Sequence, residues 1–142
     1  MSYSYGTEQS ITLVAAADLS AKQYHAVKVD SSGKAALAAA GEFSIGYLIN
    51  KPTAGQAATI VYGGVSKAIL GGTVAAGATV AADANGKTVD ATEARTNTSD
   101  AGAAIDALIA SNVIGVALVG GASGDLVPVL VLAAGATPTT AA

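Results

Sequence analysis

Val27-Lys28-Val29-Asp30-Ser31-Ser32-Gly33-Lys34 is answered further along the chain by Val80-Ala81-Ala82-Asp83-Ala84-Asn85-Gly86-Lys87. The shared pattern is an extended segment, a tight turn and a second extended segment. Asp at the first turn position accepts a hydrogen bond from backbone two residues on. Gly at the fourth takes a conformation costly for other residues. Asp30, Gly33, Asp83 and Gly86 are therefore expected to be the structural residues of two hairpin turns. Each copy then passes an Ile-Gly step that leads to a leucine, Ile45-Gly46-Tyr47-Leu48 and Ile114-Gly115-Val116-Ala117-Leu118. Each next runs through a glycine, Gly55 or Gly124, into an aliphatic stretch at Ile60-Val61 or Val129-Leu130. The chain reads as a duplicated β unit.

Working outward, β signals dominate from Ile11 onward. Candidate strands are Ile11–Ala15, Tyr24–Val29, Ala35–Ala39, Ser44–Ile49, Ala57–Tyr62, Val65–Leu70, Ala78–Ala82, Val113–Val119 and Leu126–Leu132. Gly, Asp, Ser and Asn separate them at the spacing of a sandwich or barrel. The pairs Gly63-Gly64, Gly71-Gly72 and Gly120-Gly121 read as bends and tight connections. The second copy carries an insertion. Ser99 caps and Asp100 favours the positive end of a short helix over 99–110, on which Ile105, Leu108 and Ile109 share a face. The expected fold class is mainly β: a compact barrel- or sandwich-like domain of two pseudo-repeated halves with one short inserted helix. The expected boundaries are a flexible arm over 1–10, a β domain over 11–132 with pseudo-repeats near 19–62 and 74–132, and a flexible tail over 133–142.

Composition bears on function. Of 142 residues, 34 are Ala and 17 Gly, with one Phe and no Trp. Small side chains bury little area, and burial stabilises by only ~25 cal/mol per Å², so the core is thin for the chain length. Charged residues make up 12%, against roughly 25% in ordinary soluble domains, while 51% are hydrophobic. Ten acids and seven bases cannot cover a monomer of this size. Large uncovered apolar surface marks association sites, so the chain is expected to work within an assembly.

The same numbers narrow the partners. Net charge is -3 and the bases are scattered singly, which offers nucleic acid no basic stripe. There is no Cys, hence no disulfide and no thiolate metal site. The uncharged windows Ala107–Gly124 and Leu126–Ala142 are broken by Gly, Ser, Asn and Pro, so no membrane span is expected.

Chemistry is sparse. His25 is the only histidine, without a second His or Cys to share a metal. No Gly-x-Ser-x-Gly elbow positions a nucleophile, and neither Gly-Lys pair has the earlier glycine of a phosphate loop. Asp83-Ala84-Asn85-Gly86 resembles the start of a calcium loop, but Lys87 and Ala94 stand where oxygen ligands are required. Asp90, Glu93, Asp100 and Asp106 fit a solvated face better than a paired-carboxylate site. The chain is expected not to be an enzyme and to need no cofactor or metal. Tyr24, Tyr47 and Tyr62 fit core or half-buried strand positions. Tyr3 and Tyr5 lie on a polar arm outside the repeat. Tyrosine is enriched where chains pack together, and an arm with spaced tyrosines suits addition to a partner's sheet edge.

The repeated turn, the Ile-Gly-x-Leu step, and Gly55-Gln56-Ala57-Ala58-Thr59-Ile60-Val61-Tyr62-Gly63-Gly64-Val65 together resemble the capsid cement, or head-decoration, proteins of tailed bacteriophages. So does Gly124-Asp125-Leu126-Val127-Pro128-Val129 at the close of the second copy. The resemblance spans about Leu19 to Leu132. It implies a β-barrel-like protein, often trimeric, that sits on the outer surface of the phage capsid after synthesis in the host cytoplasm. It implies binding to the major capsid protein and reinforcement of the head against packaged DNA. It carries over no catalytic residue. By position it assigns capsid contact to the arm: Ser2, Tyr3, Ser4, Tyr5, Gly6 and Thr7. The alternative is a non-catalytic surface adhesin or carbohydrate-binding β module.

Overall fold

The computed structural model describes residues 8–91 and 112–136. Nine strands run in chain order: β1 Gln9–Val14, β2 Ala26–Val29, β3 Ala35–Leu37, β4 Gly46–Leu48, β5 Ala57–Ile69, β6 Thr79–Ala82, β7 Thr88–Asp90, β8 Asn112–Ala117 and β9 Leu126–Ala136. They form one curled sheet in the order β3-β2-β4-β5-β9-β8-β6-β7, with β1 added on β5. Every named strand pair is antiparallel. The fold is mainly β and barrel-like, as expected. The expected helix over 99–110 lies outside the described residues, as do the arm residues Ser2 to Thr7.

The duplication is carried by hydrogen bonds as well as by letters. The register Val27↔Gly46 between β2 and β4 returns as Val80↔Gly115 between β6 and β8. Tyr47↔Val61 returns as Val116↔Leu130. Tyr24 N–H donates to the Leu48 carbonyl at 2.6 Å, and Gly77 N–H donates to that of Ala117 at 2.7 Å. Both backbones take a positive φ there, 66° at Tyr24 and 83° at Gly77. Even side chains trade places: the Gln56 amide oxygen accepts from Thr53 N–H, and the Asp125 carboxylate accepts from Ala122 N–H, each at 2.9 Å.

These correspondences define units longer than the sequence repeat. The first unit is β1, β2, β3, β4 and the start of β5. The second is the remainder of β5 with β6, β7, β8 and β9. Val14 pairs with Ala57 as Ile69 pairs with Leu126, so β1 corresponds to the end of β5. Each unit curls until its first strand meets its third, through parallel bridges Ala15↔Ala35 and Leu70↔Thr88.

The two candidate strands Ala57–Tyr62 and Val65–Leu70 are thus one strand, which corrects the sequence reading. Gly63-Gly64 does bend the chain, but inside β5 and without ending it. Gly63 still pairs with Gln9 of β1, while Gly64, at φ +81°, pairs with Val131 of β9. The strand closes one unit and opens the next across those two residues. Three further expectations shift: Gln9 and Ser10, read as arm, already pair in β1; residues 133–136, read as the start of a flexible tail, belong to β9, where Gly135 and Ala136 pair with β8; and β7 is a strand where none was expected.

Packing follows the units. The interior of the first is a cluster of Ala15, Leu19, Val27, Ala35, Leu48, Ala58 and Ile60. The interior of the second contains their counterparts Leu70, Val74, Val80, Ala117, Val127 and Val129. That cluster also takes in Ala26, Tyr47 and Val61 from the outer face of the first unit. The second unit therefore sits on the outside of the first. Direct bonds cross between them: Ala26 N–H to the Gly86 carbonyl at 2.8 Å, Gly41 N–H to that of Ala82 at 3.0 Å, and Asn112 Nδ2 to that of Gly41 at 2.9 Å.

Candidate interaction surface

The turn residues stand where the sequence puts them. Asp30 Oδ1 accepts from Ser32 N–H and Lys34 N–H, both at 2.9 Å, and Asp83 Oδ1 accepts from Asn85 N–H at 2.8 Å and Lys87 N–H at 2.9 Å. Gly33 and Gly86 take φ of 76° and 75°. Their surroundings differ. Gly33 is exposed, whereas Gly86 is buried at the seam, where an added Cβ would lie 2.5 Å from Leu37 Cδ1.

Titratable groups are largely engaged in structure. Lys28 Nζ bonds both Glu42 oxygens, at 2.9 and 2.7 Å, and Glu42 Oε1 also accepts from Ala39 N–H at 2.8 Å. These bonds, Lys28 foremost, hold the Glu42 carboxyl below its ordinary range. His25 is buried, and its Nδ1 lies 3.1 Å from the Gln23 carbonyl. Burial lowers its pKa; the charges of Lys22 and Lys87 add to this, while backbone hydrogen bonds oppose it. Tyr47 is fully buried and its Oη lies 2.9 Å from Thr88 Oγ1 across the seam. Burial pushes the phenol well above its ordinary value despite that bond. Among the described residues no three His, Asp or Glu side chains gather to hold a metal. No helix among them is long and apolar enough to cross a membrane. Of the four carboxylates singled out in the sequence, Asp90 ends β7 half-buried; Glu93, Asp100 and Asp106 lie outside the described residues.

Besides Ile11 and Val14 on β1, exposed large apolar side chains gather at two places. At the first unit a shallow groove of about 550 Å³ is lined by Lys28, Val29, Asp30, Ser31, Glu42, Phe43 and Ile45. Val29 is 46% and Phe43 52% exposed, and Tyr62, beside Gly46, is 40% exposed. Tyr62 is thus more open than a half-buried strand position. At the second unit β9 alternates cleanly. Val127, Val129 and Val131 point inward, while Leu126 and Leu132 stand 52% and 53% exposed with Pro128 and Leu130 half-buried between them. Register places Val116 of β8 and Val65 of β5 beside Leu130 on that face, and Leu118 follows at 37% exposure.

A third open feature is the outer edge of β1, which among the described residues pairs only with β5. It directly follows the expected arm. The strand itself was expected at Leu126–Leu132, but its outward face was not legible, because the stretch is apolar throughout and nothing local tells which alternate set is covered.

The fold defines a class: a duplicated, mainly β domain whose two units share a strand, with an apolar face left exposed on each unit among the described residues. A solved structure with this fold is the N base of the head fibre gp8.5 of bacteriophage phi29. It matches with a TM-score of 0.62 at 14% identity, over 94% of this chain and 100% of that one. At that identity the likeness is one of fold. The neighbour is a phage head protein, the setting implied by the resemblance to head-decoration proteins. No protein-family profile matches the chain, and no curated protein matches it in sequence.

Proposed function

We propose that the protein is a structural component of a phage virion, a decoration or cement protein that binds the outer surface of the major capsid lattice and stabilises the head. The observation that carries this reading is the fold, shared over nearly the whole chain with a phage head-fibre base. Supporting it, an apolar face is left exposed on each unit among the described residues, and the charged groups of the one described groove are bonded within the fold. The protein needs no cofactor and performs no catalysis. Each copy need bind only modestly, because an oligomer, a trimer in this reading, engages several lattice sites at once. The arm residues Ser2 to Thr7 make the capsid contact, preceding in sequence the edge of β1 that is unpaired among the described residues and that a strand from the shell can extend.

Co-sedimentation with empty capsid shells tests this. The full chain is expected to bind shells and raise their resistance to heat. A chain lacking residues 1–7 is expected to keep its thermal transition and lose the shells. The cut stops there because Gln9 and Ser10 belong to β1. A full-length protein that binds no shell of its own phage refutes the proposal, and unchanged occupancy after truncation refutes the role of the arm.

A further inference from the structure

We propose that the protein associates head to tail with further copies of itself, the outer face of the second unit of one copy packing on the free end of the first unit of the next. The inference comes from comparing corresponding positions in the two units. On the first unit Ala26, Tyr47 and Val61 are fully buried because the second unit covers them. Their counterparts on the second unit are Thr79, Val116 and Leu130, and nothing among the described residues covers that face; Thr79 is exposed and the other two half-buried. The converse holds on the opposing surface. Ala82 and Val131 of the second unit are buried in the shared cluster, and Asn112 bonds Gly41 across the seam. Their counterparts on the first unit are Val29, Tyr62 and Phe43, all exposed.

Both halves of the contact that joins the units thus recur, uncovered among the described residues, one on each unit. The residues found there also argue for a cover. A surface meant for water would carry polar groups at these positions, yet the exposed Val29, Tyr62 and Phe43 are larger than the buried Ala82 and Val131 and the half-buried Asn112 to which they correspond. On the opposite face Ala26, Tyr47 and Val61 correspond to Thr79, Val116 and Leu130, so two of the three positions stay apolar and a second copy can cover them. Such a contact is heterologous and generates a ring where the rotation closes and a filament where it does not.

The proposal sharpens the oligomer in the functional reading above, but its test uses purified protein without shells, so a failure here is distinct from a failure of capsid binding. Sedimentation velocity up to millimolar concentration is expected to show species heavier than the 13.6 kDa monomer. Leu118→Glu spoils one face and Val29→Glu the other; both side chains are exposed, so each variant keeps the wild-type thermal transition. Should Val29→Glu unfold early, Phe43→Lys takes its place. Each variant alone is expected to be monomeric. Their equimolar mixture is expected to form dimers and nothing larger, because one intact face then meets one intact end. A monomeric wild type, a variant that assembles like wild type, or a mixture that stays monomeric would each overturn the proposal, the last by pointing to a two-fold symmetric contact.

Discussion

Tyr47 and Thr88 are the polar pair inside the seam, and their bond explains a tyrosine where the corresponding residue is Val116. A buried hydroxyl without a partner costs ~1–3 kcal/mol, whereas replacing both partners by apolar groups is nearly neutral. Tyr47→Phe is therefore expected to destabilise the protein by about 1–2 kcal/mol in denaturant unfolding, and adding Thr88→Val to recover most of it. A double variant no better than the single one would mean that the ring, not the bond, carries the effect. His25 adds a pH dependence. Its folded pKa lies below the ordinary 6.5, so the native state stays neutral while the unfolded chain takes up a proton. Stability is then complete above that pH and falls as pH drops towards the folded pKa. Glu42, held below its ordinary 4.5, repeats the loss at lower pH, its size reduced by solvent because the side chain is 38% exposed. His25→Gln is expected to remove the upper of the two windows in thermal melts at stepped pH and to leave the lower.

Among the elements, the two turns give an internal control. Gly33 and Gly86 share a φ near 75°, but only Gly86 has a neighbour where a Cβ would sit. Gly33→Ala is expected to cost about 1 kcal/mol, the penalty of left-handed backbone. Gly86→Ala is expected to cost more, because Leu37 must also move, and a calorimetric comparison of the two checks it. The turns were legible because their chemistry is local: an Asp oxygen, two amides and a glycine within five residues. The Ile-Gly step was legible too, because it is repeated, although its cause is not local. A Cβ on Gly46 or Gly115 would strike the carbonyl oxygen of Val61 or Leu130 on the neighbouring strand, so the glycine is a mark of close strand approach. What the letters concealed was non-local. Gly63-Gly64 looks like a break, yet pairing on both sides of it carries β5 through. β7 is three residues long and follows Lys87 as β3 follows Lys34, so the repeat alone could have located it. The equivalence of Tyr24 with Gly77 has no trace in residue type, because it lies in a backbone angle that tyrosine seldom adopts.

At the level of the whole molecule, the sequence foresaw an exterior poor in charge, and the structure shows where that poverty lies. It is concentrated at Val29, Phe43 and Tyr62 at the first unit and along Leu126–Leu132 at the second, with the unit-to-unit seam between them. Composition alone could call for cover without saying which surface needs it. Locating the surface required knowing that one unit already does to the other what a neighbour has still to do. Shell binding, proposed for the arm, and self-association, proposed for the two apolar faces, are measured separately.

The handover within β5 has a consequence for how such a molecule lengthens. Because the closing strand of one module is also the opening strand of its successor, an in-frame tandem duplication adds a complete module without inventing a linker or a fresh seam. Reach in a protein of this architecture is then counted in whole steps, each step bringing its own foundation for the one above.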